Sequence, residues 1–202
     1  MKLRVLLDMD GVIANFYSAF ATYLNEEYGC NLNPNVEPKG YEFYTWGHGS
    51  ESVDFDAASK AWIASGGFGK LPVFQGAKEF VDQLRSMCNV YIVTARIGDW
   101  DKSFPIELKD RIKNDTENWL KANGMPTDQL FFSHDKIPFC KENGISIMIE
   151  DKMSTALKAS KNGMHTILMD RGYNGSQIDR YKIYRVYSFN EALEQLKKLM
   201  AK

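Results

Sequence analysis

"LRVLLDMDGVIANF", residues 3–16, opens on Leu3 and the unbroken apolar run Val5–Leu7, then places Asp8 and Asp10 one residue apart ahead of Gly11. Apolar residues at consecutive rather than alternate positions suit a strand of a parallel sheet covered on both faces. Asp and Gly alone favour a solvent-exposed turn. These aspartates, however, sit where a buried strand ends, and in an open α/β sheet ligands bind beyond the carboxyl ends of the strands. Gly11 permits the sharp turn that keeps Asp10 facing the same crevice as Asp8.

The same pattern recurs along the chain. "VYIVT" (90–94), "LFFS" (130–133), "SIMIE" (146–150) and "HTILM" (165–169) read as strands, and "IYRVY" (183–187) as an edge strand. Helical segments alternate with them. Residues 77–87 put Phe80, Val81, Leu84 and Met87 on one face, 108–124 and 154–163 end on Asn-Gly, and 188–200 opens on Ser188 with Glu191 three residues on, a capping box. This alternation predicts an α/β fold with a doubly wound parallel sheet. Residues 15–74 break the rhythm: helices are read within 15–29 and 53–67, separated by a proline-, glycine- and aromatic-rich stretch. The expectation is a core of residues 1–14 and 75–202 with a small helical domain, 15–74, inserted after the first strand.

Composition narrows the function. The 202 residues are 44% hydrophobic and 25% charged with a net charge of −1, ordinary globular usage without the basic stripe that a nucleic-acid polymer requires. Cys30, Cys88 and Cys140 are scattered and form no CxxC, which points away from sulfur-bound metal and toward a reducing, cytoplasmic setting. No apolar stretch reaches the length of a membrane span, and the first seven residues form no signal peptide.

Asp8, Thr94 and the pair Glu150-Asp151 each close a strand, and Lys136 follows another, so polar groups converge on one crevice. Clustered carboxylates require a cation, and hard oxygen ligands select Mg²⁺. Asp8, Asp151 and the backbone carbonyl of Asp10 are the expected ligands. Asp8 is then placed to attack phosphorus as a carboxylate nucleophile, and Asp10 to protonate the leaving oxygen and later activate water. Thr94 would bind a phosphoryl oxygen, and Lys136 would neutralise phosphate charge and keep Asp8 ionised.

"DMDGV", "VTAR", "HDK" and "ED" resemble the four motifs of the haloacid dehalogenase superfamily of phosphotransferases. The opening "DMDGVIANF" and residues 134–174 are similar to the 5′(3′)-deoxyribonucleotidases and their bacterial and phage relatives. The resemblance implies a haloacid dehalogenase-like core with a cap after strand one, Asp8 as nucleophile and Asp10 as acid/base. It also implies phosphate or substrate contacts from Thr94, Ala95, Arg96 and Lys136, with Mg²⁺ held by Asp8, Asp10 and Asp151. The last motif departs from the usual Asp-Asp followed by Arg, since it reads Glu150-Asp151-Lys152 here. Such nucleotidases hold the base in an aromatic pocket; Phe16, Phe68 and the cap residue Trp62 match parts of it, and the remainder falls within "YEFYTW" (41–46). An aromatic in a small helical cap serves equally well as core. His48, His134 and His165 are read as structural, and Gly172–Asn174 as a turn.

The expected activity is Mg²⁺-dependent hydrolysis of nucleoside monophosphates through an aspartyl-phosphate, with a small phosphomonoester as partner and a homodimer allowed. A sugar phosphate or other small phosphomonoester is the alternative substrate. A phosphate-binding module without catalysis is the alternative class, disfavoured because Asp8 and Asp10 are both retained. A dehalogenase is disfavoured because it needs neither Asp10 nor Mg²⁺.

Overall fold

The computed structural model describes residues 2–97, 104–175 and 181–201. Six parallel strands form one sheet: β1 (Arg4–Leu7), β2 (Asn89–Thr94), β3 (Leu130–Phe132), β4 (Ile147–Glu150), β5 (His165–Met169) and β6 (Ile183–Val186), in the order β3-β2-β1-β4-β5-β6. The chain builds outward from β1 to β3, then returns to the other side of β1 for β4. The switch point of this doubly wound sheet therefore lies between β1 and β4, the position where such sheets bind ligands. In that register Leu7 pairs with Ile149, which sets Asp8 beside Glu150 at the carboxyl edge.

The apolar runs are consecutive because both faces are covered. Leu6, Val93 and Met148 pack with Ile137 and Cys140 on one face, while Val5, Leu7, Ile92 and Ile149 join the larger core on the other. The covering helices are α3 (Ala77–Met87), α4 (Ile106–Ala122), α5 (Lys136–Glu142), α6 (Met153–Lys161) and α7 (Phe189–Met200). Ser188 Oγ accepts from the Glu191 amide at 3.2 Å, and the Glu191 carboxylate reaches back to the amide of Tyr187, one residue earlier than a capping box has it. Helix α5 escapes the sequence reading. It is seven residues long with Pro138 in its first turn, too short to show a helical period, although Asp135 caps it at the Ile137 amide.

Between β1 and α3 the chain forms helices α1 (Phe16–Tyr28) and α2 (Phe55–Ala64) and short 3₁₀ turns, with no strand. Asn15 and Asp54 cap the two helices through their side-chain oxygens at 3.1 Å each. The segment leaves and rejoins the rest of the chain at one place: the Asn15 amide bonds to Pro72 O at 2.8 Å and the Phe74 amide to Ile13 O at 3.0 Å. Its first helix thus starts at the rim of the β1 crevice. None of the helices among the described residues is long and apolar enough to cross a membrane.

Candidate active site

Asp8 is buried at the end of β1, with Oδ1 accepting from the Met9 amide and Oδ2 paired to Lys136 Nζ, each at 2.7 Å. Lys136, on the first turn of α5, also bonds Glu150 Oε2 at 2.8 Å. One buried ammonium thus bridges two buried carboxylates. Carboxylate oxygens of Asp8, Glu150 and Asp151 lie within 4.8 Å of one another, the group among the described residues that could hold a metal ion. Fully ionised, three carboxylates against one ammonium leave two negative charges in a buried space.

The electrostatics record this excess. Burial, then Glu150, push the Asp8 carboxyl well above its ordinary range, with Lys136 opposing. Burial and Asp8 push Asp151 up to about 7, opposed by the Tyr173 hydroxyl. Burial also raises Glu150. Lys136 is disfavoured as a cation by burial, yet Asp8 and Glu150 outweigh this and hold it above the ordinary lysine value. Lys136→Ala would leave Asp8 and Glu150 facing each other without a countercharge. Breaking a buried pair in this way costs about 3–5 kcal/mol, and chemical denaturation should show a loss of that size; an unchanged midpoint would contradict the pairing.

The remaining predicted residues fall into place unevenly. Ala95, Arg96, Asp10 and Phe68 line the same cavity as Asp8. Thr94 is fully buried at the end of β2, and its hydroxyl has no hydrogen-bond partner among the described residues. Asp10 is expected to offer the cation its backbone carbonyl; its carboxylate accepts from Arg96, Nε to Oδ2 at 2.8 Å and Nη2 to Oδ1 at 2.7 Å. Glu150 is the third carboxylate of the cluster, because the register of β1 and β4 sets it beside Asp8. Arg96, expected to meet substrate, spends its fork on Asp10 and gives Nη1 to Thr116 Oγ1 at 3.0 Å.

The turn at Gly172–Asn174 also serves the site. Tyr173 donates its hydroxyl to Asp151 Oδ2, and Asn174 Nδ2 holds Asp151 O at 2.6 Å and Met169 O at 2.9 Å. Arg171 Nε reaches Gly11 O at 2.5 Å, so the loop after β5 braces both the turn after β1 and Asp151. The legible signal was that this loop follows a parallel strand at the same edge. Gly11 adopts φ +75°, and a Cβ there would collide with Asp151 and Tyr173; close approach as well as turn geometry requires glycine.

Above the carboxylates opens a cavity of about 340 Å³. Its floor is Asp8, Asp10 and Asp151; its walls are aromatic, with Phe16, Phe43, Trp46, Trp62 and Phe68 from residues 15–74. The "YEFYTW" stretch therefore contributes Phe43 and Trp46 to the wall. Its Tyr41 stands nearer the carboxylates, with Lys152 Nζ 4.0 Å above the ring and Tyr173 edge-on at 5.6 Å. His134 lines the rim. Phe16 and Phe68 have ring centroids 6.2 Å apart and planes 33° apart. A flat base between two rings needs two carbon contacts, about 7 Å in all, so these two do not form a ready sandwich. The pair packs as a continuous wall with Trp62, 5.4 Å from Phe16 and 4.9 Å from Phe68.

Over residues 2–202 the chain matches the family described as 5′ nucleotidase, deoxy (pyrimidine), cytosolic type C protein. A nucleotidase of Clostridium acetobutylicum is 25% identical over 215 residues, covering all of this chain and 97% of that one. Among solved structures, the haloacid dehalogenase-like hydrolase SP0104 of Streptococcus pneumoniae superposes with a TM-score of 0.60 at 17% identity, covering 96% of this chain and 98% of its own. The hydrolase YfnB of Bacillus subtilis, bound to magnesium, superposes with a TM-score of 0.62 at 14% identity, covering 97% and 99%. The sheet order, the buried Asp8–Lys136 pair at the switch point and a family match spanning nearly the whole chain agree: the chain belongs to the cytosolic type C 5′ nucleotidase family, with the haloacid dehalogenase-like fold, and is a phosphoric monoester hydrolase.

Proposed function

We propose that the protein hydrolyses nucleoside monophosphates with Mg²⁺, through a covalent phosphate on Asp8, and that residues 15–74 act as the cap over the reaction. One observation carries the reading: the carboxylates of Asp8, Asp10 and Asp151 and the rings of Phe16, Phe43, Trp46, Trp62 and Phe68 line a single cavity. The Asp8 and Asp151 carboxylates with the expected Asp10 carbonyl make an all-oxygen donor set, and the buried Asp8, Glu150 and Asp151 cluster carries more negative charge than Lys136 offsets, so the residues present fit Mg²⁺. When bound, Mg²⁺ would offset the charge of the transferring phosphoryl group. Glu150 stands behind, fixing Lys136 so that its ammonium aims at Asp8.

In the first half-reaction an Asp8 carboxylate oxygen attacks phosphorus while the bond to the leaving oxygen breaks and that oxygen takes a proton from Asp10. In the second, water attacks the phosphoryl group, Asp10 takes the water proton, and the electron pair of the breaking P–O bond returns to Asp8. A cap keeps stray water from the covalent intermediate. The three cysteines, all free and buried, agree with a reducing, cytoplasmic setting.

The wall supplies the selectivity in this reading. The base lies on the aromatic surface, and such stacking is worth about 1–3 kcal/mol per base. Phe16→Ala should therefore lower kcat/KM for a nucleoside monophosphate by about 5- to 150-fold, chiefly through KM. The loss with p-nitrophenyl phosphate, which lacks a base, should be much smaller. Steady-state kinetics with both substrates decide it. Equal losses would make the ring structural core and remove the support for a nucleotide.

A further inference from the structure

Arg96 is the feature of the site that this mechanism leaves unused. It lies just past β2, is only 3% exposed, and is held from every side. Its Nε and Nη2 grip both oxygens of Asp10, Nη1 donates to Thr116 on α4, and its guanidinium stacks 4.5 Å from the Phe68 ring. Thr116 is in turn fixed by its own bond to Ile112 O at 2.6 Å. An arginine that binds substrate phosphate must present its planar fork to the ligand. Here the fork is already occupied by a protein carboxylate.

We propose that Arg96 is a positioning residue for the hydrolytic half-reaction: it locks the plane of the Asp10 carboxylate so that the oxygen lone pairs left free receive the proton of the attacking water. This rests on the covalent reading above and adds the residue that aims its base. An ionised carboxylate has about four lone-pair sites, and the two-point grip of Arg96 uses two of them. The grip removes rotation of the carboxylate and leaves the other sites in fixed directions. Once the leaving oxygen has taken its proton, Asp10 is the carboxylate that faces the water in the proposed cycle. In that step the water oxygen bonds to phosphorus and one water proton moves to Asp10. The P–O bond to Asp8 breaks with its electrons returning to the Asp8 carboxylate, and inorganic phosphate departs. Asp10 is then protonated again for the next leaving group, so the cycle closes without another donor.

The assignment separates the two half-reactions. With p-nitrophenyl phosphate the leaving group is a stable phenolate, and its departure needs no proton from Asp10. Loss of aim on Asp10 should therefore slow only the second step. The experiment is stopped-flow release of p-nitrophenolate by Mg²⁺-supplied wild type, Arg96→Ala, Arg96→Lys and Thr116→Val, with intact-mass analysis of acid-quenched protein. Arg96→Ala should give a burst close to one product per site, then a steady rate reduced by about 10²-fold, the size expected when a reacting group is misplaced by about an ångström. Covalent phosphate should accumulate on Arg96→Ala and be absent from the Asp8→Asn, Arg96→Ala double variant. Arg96→Lys, which keeps the charge but not the fork, should accumulate it as well, and Thr116→Val to a lesser extent. These two variants keep the test open if Arg96→Ala folds poorly. Equal slowing of burst and steady state would make Arg96 a phosphate ligand or a fold residue and overturn the proposal, as would unchanged kinetics in all three variants. Continued hydrolysis with no covalent phosphate on any protein would overturn the Asp8 reading itself, and this inference with it.

Discussion

Asp8→Asn is expected to abolish phosphate release, a loss on the order of 10⁴- to 10⁶-fold as for other enzymes deprived of a nucleophile or its partner, while leaving the fold at least as stable. The two halves of this expectation come from the same geometry. Asparagine matches the shape of aspartate, and its one carbonyl oxygen can take the place of Oδ2 and accept from Lys136, giving up the weaker bond from the Met9 amide. Lys136 keeps its 2.8 Å bond to Glu150. What disappears is an ionised group that burial and the neighbouring Glu150 both disfavour. A thermal melt should therefore show no drop, and a phosphate-release assay should show background only. Near-normal turnover would contradict covalent catalysis at Asp8. A large fall in melting temperature would contradict the picture of Asp8 as a charge tolerated for chemistry.

The second large effect concerns the cation. Three buried carboxylates cluster around one ammonium that pairs with only two of them, and in the proposed reaction a dianionic phosphate adds to this charge. Metal neutralisation of phosphoryl charge contributes several kcal/mol, so EDTA should lower activity by on the order of 10³-fold or more and Mg²⁺ should restore it. A readout independent of turnover follows from linkage, since an ion that binds only the folded chain raises its melting temperature. Mg²⁺ should stabilise the wild type, and Asp151→Asn should weaken that stabilisation. Full activity in chelator would contradict the assignment of the carboxylate cluster.

The sheet was readable because its strands are short and covered on both faces, so Leu6 and Leu7 are both apolar although they point opposite ways. The helices with a clear stripe, such as α3 and α7, were readable for the complementary reason. Helix α5 was not: Lys136–Glu142 carries Pro138 and spans too few residues for a period to emerge. In the site, Asp8, Lys136 and Asp151 could be brought together because each follows a strand of one parallel sheet. The Arg96–Asp10 grip could not, since 86 residues separate the partners and no local pattern links a residue after β2 to a turn after β1. Tyr173 and Asn174 looked like turn residues and are; the turn itself delivers a hydroxyl and an amide to Asp151. The aromatic wall was anticipated in composition but not in arrangement, because which rings touch depends on how residues 31–50 fold over α1 and α2.

The central claim joins the carboxylate floor to the aromatic wall as one nucleotide site, and a panel of phosphomonoesters tests it most directly. Phosphate release would be measured for nucleoside monophosphates of differing base, sugar and phosphate position, for sugar phosphates and for p-nitrophenyl phosphate, each with Mg²⁺ and with EDTA. The expected result is that nucleoside monophosphates give the highest kcat/KM, that this advantage is lost in Phe16→Ala, and that hydrolysis of every substrate requires Mg²⁺. A sugar phosphate that matches or exceeds the best nucleotide, with Phe16→Ala no more harmful to one than to the other, would contradict it.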